Sequence, residues 1–131
     1  MDATPTVRLS NSEQGVAIAN LVVATAVDQT GRGPSKVRAW VSDEVVTVVL
    51  RDNLTKAEHT LIADGRGDMV SAMRRAFQHA MAPILIPQIE EITGRHVEAF
   101  LSDHHVDPDI AVETFIMNKA GSPSATDRMP A

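Results

Sequence analysis

The first long stretch of the chain has apolar residues at helical spacing and begins with a helix-capping signal. Ser10 and Glu13 have the spacing of a capping box, and the valines and alanines that follow recur every three or four residues. Gly31 is the residue type that most often ends a helix. The pattern therefore predicts a first helix from Ser10 to about Gln29.

A second long helix is predicted to begin near Asp68 and to end at Gly94. Pro83 and Pro87 lie inside it and lack the backbone donor, so we expect a kink or a short break there. The apolar stripe that we expect this helix to bury consists of Met69, Met73, Phe77, Ala80, Met81 and Ile84.

Two other stretches alternate in polarity and are rich in β-branched residues, which is typical of strands. Residues 36–52 and residues 96–118 each contain two such segments around a polar turn, so each stretch predicts a β-hairpin. A second capping box at Thr55 and Glu58 predicts a short helix between the first hairpin and the long helix.

The two hairpins resemble each other, and each follows a Thr-Gly-Arg sequence at the end of a helix. Matching residues lie at a constant offset: Val37, Ala39, Ser42, Asp43 and Val46 against Val97, Ala99, Ser102, Asp103 and Val106. We therefore predict an α+β fold in which duplicated helix–hairpin units form a four-stranded antiparallel sheet with the helices packed on one face.

Composition adds domain limits and excludes several classes of protein. Residues 10–118 form a single domain of ordinary size, and we expect flexible tails at residues 1–9 and 119–131, which are poor in large apolar residues. The absence of cysteine excludes thiolate metal sites and fits the cytoplasm. The net charge of −5 argues against nucleic acid, and an apolar run of only 13 residues from Gly15 to Val27 argues against direct membrane insertion.

Two glycine-containing turns are candidate anion sites, although their position favours a structural role. A phosphate loop lies between a strand and the start of a helix, whereas the first turn follows a helix. The first turn, called the GRGP turn below, consists of Gly31, Arg32, Gly33 and Pro34, and it is partly repeated at Gly94 and Arg95. The second turn, with Arg66 and with Asp68 as the expected cap, precedes a helix. Anion binding at either turn stays open.

The residues from Asp103 to Asp109 include His104, His105 and Asp107, a concentration of side chains that can bind metal. Adjacent histidines in an extended segment point to opposite faces, so we expect a hydrated polar turn without a metal. The chain also lacks a nucleophile–base arrangement or paired converging carboxylates. We therefore expect no catalytic residues and no cofactor, and we do not expect an enzyme.

Alternation along the strands predicts a sheet face that the helices leave uncovered. The residues expected on this candidate interaction face are Arg38, Trp40, Glu98, Phe100, Glu113 and Phe115. Such a face is too apolar for water, and we expect it to make the protein a homo-oligomer, with a dimer as the simplest form.

An ordered series of motifs over about residues 12 to 117 resembles the MpsC family. The motifs are GRGP at Gly31, VRAWVSDEVVTVVL, LTKAEHTL, EEITGRHVEAFLSD and DPDIAVETFIM. The resemblance implies an accessory or regulatory module that works beside membrane proteins of ion or inorganic-carbon transport, so we expect a membrane-transport protein as a partner. The alternative is a sensor of small ligands or anions that uses Arg32, Arg66 or Arg95.

Overall fold

The computed structural model describes residues 9–118 and contains three helices and four strands in that part of the chain. The elements are α1 (Asn11–Thr30), β1 (Lys36–Val41), β2 (Val45–Arg51), α2 (Lys56–Ala63), α3 (Gly67–Thr93), β3 (Val97–His105) and β4 (Ile110–Met117). Apart from Leu9, the predicted tails at residues 1–9 and 119–131 lie outside the described residues.

The four strands form one antiparallel sheet in the order β1-β2-β4-β3, so β2 and β4 are central and the other two are edges. Helix α1 packs on β1 and helix α3 packs on β3, on the same side of the sheet. The predicted α+β class and both hairpins are confirmed. The internal duplication of the chain stays a prediction.

Capping signals in the sequence correctly locate the starts of α1 and α2 and the ends of α1 and α3. Both capping boxes form, with the Ser10 and Thr55 hydroxyls accepting from the third backbone N–H of each helix. Gly31 and Gly94 have left-handed backbones, and their N–H groups donate to Val27 and Glu90 at 2.9 and 2.8 Å. Each long helix therefore ends at the glycine of its Thr-Gly-Arg sequence.

The core lies between the helices and the inner face of the sheet. Its centre is Phe115 of β4, which is fully buried. Other members are Ile18 and Val22 from α1, Leu85 and Ile89 from α3, and Val46, Val48 and Leu50 from β2. Alternate residues of β2 and β4 are buried, as expected for strands with one covered face.

Helix α3 is continuous, so the predicted break at its prolines is wrong, whereas the alternative of a kink stays a prediction. Pro83 and Pro87 are both exposed and therefore lie on the side that faces away from the sheet. On that side the pyrrolidine rings do not disturb packing, and the carbonyls of His79 and Pro83, which lose their helical donors, are directed outward.

The predicted buried stripe of α3 is also wrong for most of its members. Helix α3 buries Val70, Ala82, Leu85 and Ile89 among others, whereas only Phe77 and Met81 of the predicted stripe are half-buried. The remaining predicted residues are exposed on the outer side and, with Ala76, form what we call the α3 stripe: Met69, Met73, Ala76, Ala80 and Ile84. The helix is rotated by about one residue, or roughly 100°, from the predicted orientation.

Candidate interaction surface

The sheet has one face covered by helices and one face that no described element covers. Alternation along each strand and the cross-strand register assign the residues of this open sheet face. They are Lys36, Arg38 and Trp40 of β1, Val45, Thr47, Val49 and Arg51 of β2, Ile110, Val112, Thr114 and Ile116 of β4, and Ala99, Leu101, Asp103 and His105 of β3.

Trp40 is the largest side chain on the open sheet face, and 46 % of it is exposed. The guanidinium carbon of Arg38 lies 4.9 Å from the centre of its ring, within the range of a cation–π contact. Both residues lie on the face that the sequence predicts. The contact holds the indole and the guanidinium together on the edge strand.

Phe100, by contrast, lies on the covered face, because β3 contains a β-bulge. The register between β3 and β4 shifts between Val97 and Ala99, and one extra residue moves every later side chain to the other face. Phe100 therefore packs inward, 5.0 Å from the ring of Phe115 and 5.6 Å from the ring of His79. Glu98 lies within the bulge and is exposed.

Because of the bulge, Leu101 replaces Phe100 on the open sheet face, with 57 % of its side chain exposed. Sequence reasoning missed Leu101. The one available signal is the spacing of Val97 and Phe100, two apolar residues three apart, which can share a strand face only if an extra residue is present.

Glu113 and Phe115 are also on the covered face, so their prediction as exposed residues is wrong. Phe115 is fully buried and 1 % of Glu113 is exposed. Strand β4 is apolar on both parities, and the outward set consists of Ile110, Val112, Thr114 and Ile116. The two sides of β4 are similar in hydrophobicity, so the sequence does not show which side is exposed. The charge of Glu113 suggested, wrongly, that its own side faces solvent.

Two rows of residues cross the open sheet face from edge to edge. The first row runs Trp40, Thr47, Thr114, Leu101, as paired in the cross-strand register. The second runs Arg38, Val49, Val112, Asp103 in the same way. Each row has its small branched residues in the middle. The second places a cation at one edge and a carboxylate at the other.

Gly31 and Gly33 have different structural roles in the GRGP turn. Gly31 requires its left-handed backbone, with φ 80°. Gly33 has no such requirement, but a Cβ there would lie 3.0 Å from Cγ2 of Val27, so the limit at that position is space. Pro34 is half-buried and follows before β1 begins. The turn ends a helix and leads into a strand, as predicted.

The arginines of the predicted anion sites all contact oxygens of the chain itself. Arg32 donates to the Asp52 carbonyl at 2.8 Å and pairs with its carboxylate at 3.1 Å. The buried Arg95 donates to the carbonyl oxygens of Ser42 and Asp43 and so fixes the turn between β1 and β2.

The second turn lies between α2 and α3, where Arg66 pairs with Asp64 at 2.9 Å. Asp68 is not the cap that the sequence predicts. It lies inside the first turn of α3, and Arg66 precedes the helix without a side-chain cap.

The histidine segment is not the hydrated turn that we predict from the sequence. The two histidines do point to opposite sides, but His104 is buried and its Nε2 lies 2.9 Å from Oδ1 of Asp109. His105 is exposed, with Nδ1 2.8 Å from the Pro108 carbonyl oxygen. Within residues 9–118 no three histidine or acidic side chains are grouped so that they could hold a metal ion.

A small cavity of about 30 Å³ lies between the helices and the sheet, and polar side chains line part of it. Gln78, His104 and Glu113 all line it, and Oε1 of Gln78, Nδ1 of His104 and Oε1 of Glu113 make no hydrogen bond within the described chain. Burial raises the pKa of Glu113 to about 7. Among the described residues, Glu113 is the acid whose pKa rises most. Sequence reasoning did not identify it as buried.

The fold and the open sheet face define an α+β domain built on a half-covered antiparallel sheet. The chain belongs to the MpsC family. The family model, described as "Na+-translocating membrane potential-generating system (MpsC)", matches residues 11–119, which is most of the chain and includes both hairpins. This membership confirms the resemblance of the sequence motifs to the family.

Comparison with curated proteins and with solved structures gives no match. Within the described residues, no helix has the length and apolar character needed to cross a membrane.

Proposed function

We propose that this protein is a non-enzymatic accessory or regulatory module that acts by self-association and by docking to a membrane system for ion or inorganic-carbon transport. The family description supplies the link to a Na+-dependent membrane-potential system. The proposal places the module on the cytoplasmic side, peripheral to the membrane complex, where it acts on transport through a partner that spans the bilayer.

The observation that carries this proposal is the presence of two separate apolar surfaces. The open sheet face exposes Trp40 and Leu101 beside half-buried valines, and the α3 stripe exposes Met69 and Met73 on the opposite side of the domain. Contiguous exposed apolar residues are unfavourable in water and typically mark binding surfaces. Two such surfaces allow one protein to bind a second copy and a partner at the same time.

We assign docking to the α3 stripe, because its geometry is that of an amphipathic helix with one apolar side outward. Met73 is 42 % exposed and Ile84 is 40 % exposed, at spacings that lie along one line of the helix. Methionine adapts its shape to a binding partner, and an apolar helical stripe fits a groove or another helix.

The proposal is tested by isolating the full-length protein from its own cells after crosslinking and identifying the attached proteins by mass spectrometry. We expect an ion or inorganic-carbon transport protein, recovered with wild type and with Met73→Leu but lost with Met73→Glu. Recovery that is the same for all three variants would contradict docking through the α3 stripe.

The anion-sensor alternative is tested on the same protein by thermal shift with nucleotides, bicarbonate and phosphate. We expect a flat response. A stabilising ligand whose effect disappears in Arg66→Gln or Arg32→Gln would overturn the non-sensor proposal and favour an anion site at that turn.

A further inference from the structure

We propose that the open sheet face binds the same face of a second copy about a two-fold axis parallel to the strands, so that β1 of each copy lies over β3 of the other. This inference rests on the self-association part of the proposed function and names its geometry. It would place Trp40 of each copy on Leu101 of the other and Arg38 near Asp103.

The centre of the open sheet face is suited to contact with another flat apolar surface. Its two middle strands present Val45, Val49, Val112 and Ile116, together with Thr47 and Thr114. All six are uncharged and already half-buried by their neighbours, and Arg51 lies beyond them at the end of β2. Two sheets of this kind pack face to face about 10 Å apart with their strands nearly aligned.

A two-fold axis can relate two such faces in two ways, and the edge charges distinguish them. The open side of β1 carries Lys36 and Arg38, whereas the open side of β3 carries Asp103, with His105 at its end. An axis across the strands would place β1 on β1 and bring like charges together. An axis along the strands places the basic edge of each copy on the acidic edge of the other, which favours this arrangement.

The cross-strand register makes this second arrangement self-complementary, row by row. Rotation about an axis along the strands exchanges the edges and keeps each row at the same height. Arg38 and Asp103 are the two ends of one row, so the dimer would contain two opposite-charge pairs. Trp40 and Leu101 are the two ends of the next row, so each indole meets a leucine.

Asp103 and Arg38 are both in suitable states for pairing. The backbone N–H of His104 and the Arg75 guanidinium lower the pKa of Asp103, although partial desolvation opposes them, so its carboxylate is charged at neutral pH. Its contact with Arg75 is 3.4 Å long and both side chains are exposed, which leaves room for a second cation. Arg38 is held on its side of the face by Trp40.

The size of the face sets the expected affinity. Four strands about 4.8 Å apart, with about six residues each, give a flat area of about 400 Å² per copy. Stable complexes usually bury about 800 Å² of accessible surface per partner. We therefore expect a weak, concentration-dependent dimer with a Kd of about 1 μM or higher.

The decisive experiment is a charge exchange measured by sedimentation over a protein concentration range of about 1 μM to about 1 mM. We expect wild type to dimerise within this range, and Arg38→Asp and Asp103→Arg to weaken dimerisation by about tenfold each at low salt. The double variant carrying both changes should recover most of the loss. Glu91→Arg, an exposed charge reversal on α3, is the matched control and should leave the Kd unchanged.

Three outcomes would overturn this geometry. They are a monomeric wild type over the whole range, a double variant as weak as the single ones, and loss of native circular dichroism confined to the single variants. A second test that keeps the charges is Trp40→Ser with Leu101→Ser, which should abolish the dimer while leaving the circular dichroism native.

Failure here is distinguishable from failure of the proposed function. A monomeric wild type that still captures a transport protein through Met73 would reject the dimer and retain docking. If Trp40→Ser with Leu101→Ser removes that captured protein from a monomeric chain, the open sheet face binds the partner and the two-fold contact is rejected.

Discussion

His104 and Asp109 form a buried contact in which Nε2 of the histidine lies 2.9 Å from Oδ1 of the carboxylate. Asp109 also accepts from the backbone N–H groups of Asn53 and Leu54, each at 2.8 Å. A charged carboxylate only accepts, so Nε2 of His104 is the donor. Asp109 therefore joins the β3–β4 hairpin to the loop that leads from β2 into α2, and His104 holds its carboxylate in place.

Replacing His104 with alanine should lower the free energy of unfolding by about 2 kcal/mol. The variant loses a hydrogen bond to a charged group, leaves Asp109 short of a donor and opens a cavity. Urea unfolding followed by circular dichroism measures the change. His105→Ala is the matched control, because its neighbouring ring is exposed and the variant should unfold like wild type. Equal stabilities of the two variants would contradict the structural role of His104.

Arg74 and Glu58 form a largely buried salt bridge, and removing one partner should be costly. Two nitrogens of Arg74 bond the Glu58 carboxylate, one at 2.6 Å, and Arg74 also donates to the Asn53 carbonyl at 2.9 Å. Arg74→Met leaves the Glu58 charge buried without its partner, so we expect a loss of about 3 kcal/mol.

Arg75→Met provides the control for this experiment, since Arg75 is the exposed neighbour on the same helix. Both variants remove one positive charge, so a difference in their unfolding midpoints reports burial and not net charge. A similar small loss for both would show that the Arg74–Glu58 contact contributes little.

Substitution of the glycines should separate backbone strain from lack of space. Gly31→Val forces a branched residue into the left-handed region and should cost about 2 kcal/mol. Gly33→Ala should cost less, because the tightest contact of its Cβ is with the end of the exposed Val27 side chain, and Val23 lies at ordinary contact distance. Gly67→Ala is the control, with open space around it and no left-handed backbone, and thermal unfolding should rank the three variants in this order.

The sequence is sufficient to predict the elements of this fold because their ends carry local chemical signals. Ser10 with Glu13 and Thr55 with Glu58 cap their helices as their spacing predicts, and Gly94 ends α3. These signals involve neighbours within four residues, so no knowledge of the tertiary structure is needed.

The orientation of the elements is harder to predict where both sides of an element are apolar. Helix α3 has Val70, Leu85 and Ile89 on one side and Met69 and Met73 on the other, and packing on β3 and on the other helices decides between them. Pattern analysis cannot rank two sets of similar hydrophobicity, which explains the wrong stripe.

The side of the sheet on which each residue lies was predicted correctly for β1 and wrongly for Phe100 of β3 and for Glu113 and Phe115 of β4. The accuracy again depends on whether local alternation determines the orientation. Arg38 and Trp40 alternate with half-buried residues in an uninterrupted strand. In β3 a single extra residue reverses the alternation, so that Leu101 is exposed and Phe100 is not. Register shifts of this kind depend on pairing with another strand, and the local sequence does not specify them.

Glu113 makes the stability of the protein depend on pH in a direction opposite to most acids. Burial raises its pKa from 4.5 to about 7 in the folded protein, whereas in the unfolded chain it titrates near 4.5. Between these values the folded state holds a proton that the unfolded state has lost. Stability is therefore highest below pH 4.5 for this group, falls as the pH rises to about 7, and is constant above that value.

Comparison of wild type with Glu113→Gln should isolate this effect, because glutamine has nearly the same shape and cannot ionise. We expect the free energy of unfolding of wild type, relative to the variant, to fall by on the order of 3 kcal/mol between about pH 4.5 and pH 7.5. Urea unfolding at several pH values and one protein concentration measures the difference. The charged or titratable groups that line the same cavity are Arg32, Arg74 and His104, and the variant keeps all three, so their contributions cancel. Parallel pH profiles of the two proteins would show that Glu113 is not held protonated in the core.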